Sequence, residues 1–592
     1  MRSRPDKGGH MEKYRNFKIS SYIWAYALTD ITDEEIQAGI DYFQKYTHLD
    51  KIYIENHRGA VDIPVQRLRE VKALCEKNGL EVAGAITSTQ FVNGIRKPSY
   101  FDTFCYTDPD HRAEYLRIVR DIASAFDEII LDDFFFTACR CEMCIKAKGK
   151  LSWKDYRLKL MEDFAHVIVD EAHRVNPKMK FVIKYPNWYE SYQECGFNPG
   201  KQKDIFDGIY SGTETRIPFS PQHLQRYESF SIIRLLNNTA PGKNGGGWVD
   251  LGGSQLNLTN VVEQCALTVL AKTPELTLWN FNSYVGSDAL PAVGRALQKI
   301  DDILDKAGEP IGVSTWEPFN GDGEDQLYNY LGMCGLPIEP TPYFNPKAPV
   351  VFCTESTGED PDSVEKLEEY VRNGGNAIVT IGYFRRMYDK GVKDFTSVRL
   401  TNRHVMGDCF MIDNKNYRGR EVAYSTKPIL FEIIDYKTNA TQADISLMVD
   451  EDNFPIMTED DYGNGRFFIL NVPENFADLY KLPLEVLRNI NKHLTMGQRV
   501  YVGASTKCNL FAYDNNVYVC YGYDEKGGNI QLIVRGEAEG IKDLATGKIY
   551  TEKLSRPAPA HRGDATTVID EPQEYIYNVN VPQGRYFTFS VV

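Results

Sequence analysis

DEIILDDFFFTACRCEMC, running from Asp127 to Cys144, brings a strand-like apolar run, two adjacent carboxylates and three thiols into eighteen residues. Ile129, Ile130 and Leu131 form the short continuous run expected of a parallel strand buried on both faces, and it stops at Asp132 and Asp133. A charge at the end of a buried strand is costly to desolvate, so it needs a reason. In a (β/α)8 barrel the strands deliver functional side chains from their carboxyl ends, which makes both acids candidates for chemistry. The structural alternative for either is a turn cap or an ion pair with a neighbouring Arg. Consecutive strand residues face opposite sides, so one of the two is expected to point inward.

The stretch ends in C-x-C-x-x-C, with Cys139, Cys141 and Cys144, and Cys105 follows the preceding strand where a barrel brings neighbouring loops together. Four thiolates suit tetrahedral zinc. With every position filled by sulfur the metal is expected to be structural, pinning the loop beside the acids. Disulfides at such short spacing are sterically awkward. A hydrolase working through the zinc itself would need a His or an open ligand position, and none accompanies these thiols. No cofactor is expected in the chemistry.

Outward from this stretch, strand-like runs alternate with amphipathic helix-like runs from Lys18 onward, the pattern of a parallel sheet under helices, and eight such units close a barrel. The strands are read in ISSYIWAYAL (residues 19–28), KIYIENHRG (51–59), LEVAGAITST (80–89), the opening stretch, KFVIKYPNWY (180–189), DGIYSGTETR (207–216), NGGGWVDLGG (244–253, ending at Asp250) and ELTLWNFNSYV (275–285). Helices are expected over 33–46, capped by Thr32, over 221–236 and over 288–307. Polar and aromatic residues at strand ends make Glu55, Arg58, Lys184, Trp188, Trp279 and Asn282 candidates for binding hydroxyls and stacking on sugar rings. Arg58 and Lys184 would also suit a uronic or sulfated sugar. The glycine run at 245–247 lacks the Lys-Ser/Thr of a phosphate loop, so it reads as close backbone approach or a sharp turn.

A barrel over 15–310 leaves room for more. A Gly-, Pro- and Asp-rich linker (308–347) leads to APVVFCTES, a helix, Gly374-Gly375 and NAIVTIGYF, the order of a small doubly wound, flavodoxin-like α/β domain over 311–496. From Gly497 to Val592, short alternating strands and turns at Asp514-Asn515-Asn516 and Lys526-Gly527-Gly528 predict an antiparallel β-sandwich. Residues 1–14 read as a leader without the apolar core of a signal peptide, and the compartment stays open between cytoplasm and periplasm. The twelve cysteines form no disulfide framework. A formal net charge of −15 argues against nucleic acid or an anionic membrane surface as partner, and no apolar run reaches the roughly 18 residues that span a bilayer.

A strand-four acid, a nearby C-x-C-x-x-C and an earlier single Cys together resemble the zinc-bearing members of the glycoside hydrolase family 42 β-galactosidases, three-domain trimers of clan A. The likeness is one of layout. It implies a TIM barrel, a trimerisation-like role for 311–496, a homo-oligomer, and cleavage of a terminal sugar from an oligosaccharide or glycan by two carboxyl groups. In that family strand four ends in Asn-Glu, the Glu being the acid/base; here Asp133 holds the matching position with a shorter side chain, beside Asp132. The resemblance implies a nucleophile at the end of strand seven, where this chain has Asp250. A different lineage, the clan of α-galactosidases, uses an Asp nucleophile on strand four and an acid on strand six, here Asp133 and Glu214. Local chemistry favours Glu214 as the partner, because a lone Glu after Gly-Thr and beside Arg216 has few structural duties, whereas Asp250 also suits a turn. Asp133 is the first choice for the acid, with Asp132 as the neighbour that raises its pKa or replaces it. The doubled Asp keeps a second reading open, a non-catalytic glycan-binding or scaffold protein on a barrel that has lost one acid.

Overall fold

The computed structural model describes residues 11–90, 102–220, 223–252, 257–413, 420–505, 507–523, 528–556 and 572–592. They divide near residue 305 into two compact units.

The first unit is a closed ring of eight parallel strands: β1 (Lys18–Ile23), β2 (Leu49–Gly59), β3 (Glu81–Gln90), β4 (Glu128–Leu131), β5 (Lys180–Tyr185), β6 (Gly208–Gly212), β7 (Asn244–Asp250) and β8 (Glu275–Trp279). Each pairs with the next, and β8 returns to β1. Side chains from alternate positions fill the bore, among them Tyr22, Tyr53, Ile130, Val182, Tyr210 and Trp248, while Ala83 and Ala85 make room for the rings. At the floor one carboxylate ties the ring together. Glu275 Oε1 accepts from Ser20 Oγ at 2.9 Å, Tyr53 OH at 2.7 Å and Tyr210 OH at 2.9 Å, and Lys51 Nζ lies 3.7 Å from its other oxygen and 2.8 Å from Glu128.

The helix Asp33–Tyr46 begins as expected, with Thr32 and Glu35 forming a reciprocal capping box. Three readings need correcting. The first strand stops at Ile23 and Ala25–Leu28 is a helical turn, because the Ala25 N–H is taken by Glu55 Oε2 at 2.6 Å and the chain bends away at the rim. The helix expected from 221 runs Glu228–Thr239, its first expected residues lying outside those described. The expected boundary at residue 14 cuts into the barrel: Tyr14 is buried, stacks on Phe17 with centroids 4.8 Å apart and donates to the Gly294 carbonyl at 3.4 Å. Residues 1–10, read as part of a leader, lie outside the described residues. The last barrel helix, Ala289–Leu304, packs so close to Tyr46 that a Cβ at Gly294 would meet the Tyr46 carbonyl oxygen at 1.8 Å.

The second unit contains a nine-stranded sheet and a sandwich. Five strands of the sheet are parallel, in the order Ile338–Thr341, Val313–Trp316, Val350–Cys353, Asn376–Thr380, Gly465–Leu470, which is the flavodoxin-like winding. Two of them lie in the stretch read as a linker; four-residue strands set among Gly and Pro carry too little pattern to stand out. Four long antiparallel strands, Asp452–Tyr462, Gln442–Val449, Val398–Asp413 and Arg420–Tyr436, extend the sheet and have no counterpart in the sequence reading. The helix Ser363–Arg372 precedes Gly374-Gly375 as the expected order has it, and a further helix spans Leu484–Leu494. The C-terminal sandwich has a six-stranded and a four-stranded antiparallel sheet around Val502, Leu510, Leu532 and Phe589. Its hairpin turns at residues 514–516, with Asn516 at φ 63°, whereas Lys526 and Gly527 lie outside the described residues. Pro310, read as the barrel's last residue, pairs with Tyr513 of the sandwich, and Ile311 pairs with Ala512. Among the described residues no helix is long and apolar enough to cross a membrane.

Candidate active site

Strand parity lifts a second layer of side chains above the bore. Two residues beyond Ile130, Val182, Trp248 and Tyr53 stand Asp132, Lys184, Asp250 and Glu55. Asp133 breaks the parity: β4 ends at Leu131, the Phe134 N–H folds back to the Asp132 carbonyl at 2.6 Å, and Asp132 Oδ1 accepts the Asp133 N–H at 2.9 Å. Freed from alternation, both acids reach Lys184, whose Nζ is 3.2 Å from Asp132 Oδ1 and 2.9 Å from Asp133 Oδ2. The expectation that one of the pair would face away therefore fails, because the strand stops one residue before them.

The same ammonium lies 3.9 Å from Glu214 Oε1. Glu214 sits in a turn that the surroundings hold from several sides. Gln264 Oε1 accepts the Thr215 and Arg216 N–H groups at 2.8 and 3.1 Å, the Asn187 amide donates to the Glu214 carbonyl, and Arg216 is left-handed at φ 58°. Gly212 leaves the carboxylate its space, since a Cβ there would come within 2.9 Å of Glu214 Oε2. Asp250 has both oxygens engaged, one by the Gly252 N–H at 2.8 Å and the other by Arg216 Nη2 at 2.9 Å.

Arg58 completes the rim. Its Nε donates to both Glu55 oxygens at 3.1 Å and its Nη2 to Asp132 Oδ2 at 2.9 Å, with the rings of Trp24, Phe134 and Trp279 each within 6 Å of the guanidinium. Glu55 is fully buried and also accepts from Tyr22, Thr87 and Ala25, so it orients Arg58 and has no oxygen to spare for a ligand. Trp188 packs edge-on against Phe136 at 5.9 Å, and Asn282 stands exposed on the short helix Phe281–Tyr284. The cations Arg58, Lys184 and Arg216 are all paired to acids, and with Glu55, Asp132, Asp133, Glu214 and Asp250 the carboxylates outnumber them.

Burial and these pairings spread the acids apart. Burial pushes Glu214 up to about 8; Lys184 opposes the rise, while Asp250 and Asp133 add to it. Burial also raises Asp133, to about 6, against the pull of Lys184 and with the help of Asp132. For Asp132 the burial penalty is outweighed by Lys184 and Arg58, which hold it down near 2. Two neighbouring carboxyls thus differ because one has two cations and the other shares one.

Beside the acids, the segment after β4 brings Cys139, Cys141 and, on the short helix Glu142–Lys148, Cys144 to Cys105 in the loop after β3, with all four sulfurs within 4.8 Å of one another. Cys105 Sγ is 3.7 Å from Cys141 and 3.6 Å from Cys144, and a tetrahedron with metal–sulfur bonds of about 2.3 Å spaces its sulfurs about 3.8 Å apart. Arg140, Lys148 and Arg157 gather around Trp153 beside the cluster, a cationic setting suited to thiolates. The donor set and its spacing fit zinc.

Residues 8–300 match the model of a probable glycosyl hydrolase catalytic domain, 308–475 that of the second domain of the uncharacterized protein SSO3021, and 499–586 that of a probable glycosyl hydrolase C-terminal domain. A curated relative, the uncharacterized protein SSO3021 of Saccharolobus solfataricus, is 24% identical over 522 residues, covering 80% of this chain and 86% of its own. Among solved structures, Gan42B, a GH42 β-galactosidase from G. stearothermophilus, superposes with a TM-score of 0.61 at 10% identity over 98% of this chain and 99% of its own. The chain shares the fold of this β-galactosidase over nearly its whole length. The β-galactosidase from Rahnella sp. R3 gives a TM-score of 0.63 at 10% identity over 98% of this chain and 100% of that one, and the exo-β-1,4-mannosidase Op5Man5 from Opitutaceae bacterium strain TAV5 gives 0.53 at 12% over 79% and 94%. The barrel is thus the part of the chain that matches a glycosyl hydrolase catalytic-domain model, and its fold is that of the β-galactosidase barrels.

Several site residues had no reading from sequence. Tyr22, Trp24, Thr87, Phe134, Asn187 and Gln264 all shape the cluster. Gln264 left a signal: it is a polar side chain inside the apolar helix NVVEQCALTVL, where a buried amide needs a purpose.

Proposed function

We propose that this chain is a glycoside hydrolase that removes a terminal neutral sugar from an oligosaccharide, with Asp133 and Glu214 as its two working carboxyl groups. The observation that carries the reading is the Lys184 ammonium held among Asp132, Asp133 and Glu214 at the carboxyl ends of β4, β5 and β6. Glu214, titrating near 8, keeps its proton at neutral pH and is suited to protonate the departing oxygen, while Asp133, near 6 and beside the ammonium, is the ionised partner. This favours the strand-four nucleophile and strand-six acid over Asp133 as the acid. Asp250, with both oxygens engaged, is the weaker partner.

Lys184 Nζ is 2.9 Å from Asp133 Oδ2 and 3.9 Å from Glu214 Oε1, so these oxygens are no farther apart than the sum of the two. That bound leaves nearly all of the inverting range of about 6.5–9.5 Å out of reach and admits the retaining range of about 5–5.5 Å. A neutral sugar is favoured because, among the described residues, Arg58, Lys184 and Arg216 are already matched by acids, which argues against the uronic and sulfated sugars that Arg58 and Lys184 suggest on their own. The names of the structural neighbours, β-galactosidases and an exo-β-mannosidase, give the first sugars to try.

Cys105, Cys139, Cys141 and Cys144 would hold a structural zinc that fixes the loop beside Asp133; zinc so bound supplies rigidity and leaves no ligand position for substrate. Assembly into a trimer, which the resemblance implies, belongs to the same reading, and light scattering in solution tests it. The decisive experiment is a panel of aryl glycosides with the parent, Asp133→Asn and Glu214→Gln. Turnover by the parent that collapses in both variants supports the hydrolase; sugar binding without turnover in all three supports the glycan-binding reading.

A further inference from the structure

Away from the barrel, three ligating side chains converge on the nine-stranded sheet: Asp444 from Gln442–Val449, Glu459 from Asp452–Tyr462 and His493 from the helix Leu484–Leu494. One ligand atom from each lies within 4.8 Å of the other two. Both carboxylates are out of water, Asp444 at 1% and Glu459 at 3% exposure. The local register explains how Asp444 gets there. Ala443 pairs with Thr458 and Ile445 with Met457, so Asp444 is the extra residue of a β-bulge and its side chain leaves the strand's alternation.

The imidazole carries the argument further. His493 Nδ1 is 2.8 Å from the Asn489 carbonyl, an acceptor, so this nitrogen bears the proton. Nε2 then points its lone pair at Asp444 Oδ2, 3.3 Å away. Two acceptors do not face each other in a buried site unless a positive charge lies between them. A proton on Nε2 would serve Asp444; Glu459, itself paired with Arg466, brings a second carboxylate to the same point. Cation–ligand bonds of about 2.0–2.2 Å put neighbouring ligand atoms roughly 3–3.5 Å apart, in line with the His–Asp spacing. A backbone carbonyl on the far ring nitrogen is the usual orienting partner of a metal-bound histidine. Arg466, with Nη1 at 3.5 Å from Glu459 Oε1, is a further positive neighbour from the adjoining strand.

We infer that Asp444, Glu459 and His493 form a binding site for a first-row divalent cation, independent of the barrel's chemistry and of the thiolate cluster. Its ligands are oxygen and imidazole nitrogen, so it takes Mn2+, which four thiolates do not favour. Bound there, the ion fastens the helix Leu484–Leu494 to the antiparallel part of the sheet.

The test strips the full chain with chelator and titrates it with Mn2+, following free Mn2+ by its electron paramagnetic resonance signal and the unfolding temperature in parallel. The parent should bind one equivalent and melt several degrees higher when saturated; Asp444→Asn and His493→Gln should each lose at least tenfold in affinity. Equal uptake by parent and variants overturns the site. Failure of the parent to bind Mn2+ or to gain thermal stability also overturns it, leaving a protonated His493 as the buried charge, and this arm decides the matter even if the variants do not fold.

Discussion

Replacing Glu214 with Gln separates what this side chain does for catalysis from what it costs the fold. The buried acid titrates near 8 rather than 4.5. Its folded pKa is raised, so the folded state keeps a proton that the unfolded chain releases, and stability falls as pH rises from about 4.5 through 8. At 1.36 kcal/mol per pH unit the loss across that window is on the order of 5 kcal/mol, of which roughly 3 kcal/mol has accrued by pH 7. Gln cannot ionise and escapes the loss. Urea unfolding of parent and Glu214→Gln at pH 5 and pH 8, followed by barrel tryptophan fluorescence, should give a stability difference that moves in the variant's favour by several kcal/mol between the two pH values. The same change should cost about 10²–10⁴-fold in turnover of glycosides with poor leaving groups and much less for a dinitrophenyl glycoside, which leaves without a proton. The parent's rate should peak between limbs near 6 and 8, the alkaline limb vanishing in the variant. A variant whose stability tracks the parent's at both pH values, or that cleaves both kinds of substrate at the parent's rate, would refute the assignment.

Asp133→Asn should abolish turnover while leaving the circular dichroism spectrum unchanged; retained activity would move the nucleophile to Asp250. Lys184→Met leaves Asp132, Asp133 and Glu214 without their shared cation, and breaking a buried pair of this kind costs about 3–5 kcal/mol. That loss should shrink as pH falls toward 5 and the acids take up protons, which urea titrations at the two pH values would reveal. Cys141→Ser should lower bound zinc in elemental analysis of the purified protein and reduce the unfolding temperature by several degrees. Gly294→Ala forces a methyl group against the Tyr46 carbonyl and should destabilise the barrel by about 1–3 kcal/mol with no change in the pH limbs of the rate.

The barrel was legible because its strands are continuous apolar runs ending in polar residues, and the start of its first long helix is spelled out in Thr32. The thiolate cluster was legible because three cysteines in six residues have few other uses. What stayed hidden was pairing. Nothing in the spacing of Asp132, Asp133, Lys184 and Glu214 reveals that one ammonium gathers all three acids, since that depends on β4 ending at Leu131 and on the turn that Gln264 holds. The four antiparallel strands between 398 and 462 were hidden for another reason. Their exposed faces mix Lys, Arg and Asp with scattered Met and Tyr, so the alternation that marks a half-buried strand is blurred over much of their length.

Glu275 draws its partners from residues 20, 51, 53 and 210, contributed by the first, second and sixth strands of a ring in which it sits on the last. A chain emerging from the ribosome has every donor in hand long before the acceptor arrives. Lys51 already has Glu128, but three hydroxyls at the base of the open cylinder keep water as their partner until the final strand slots in and exchanges it for one shared carboxylate. Any fragment that stops short of residue 275 inherits the waiting donors without their keystone.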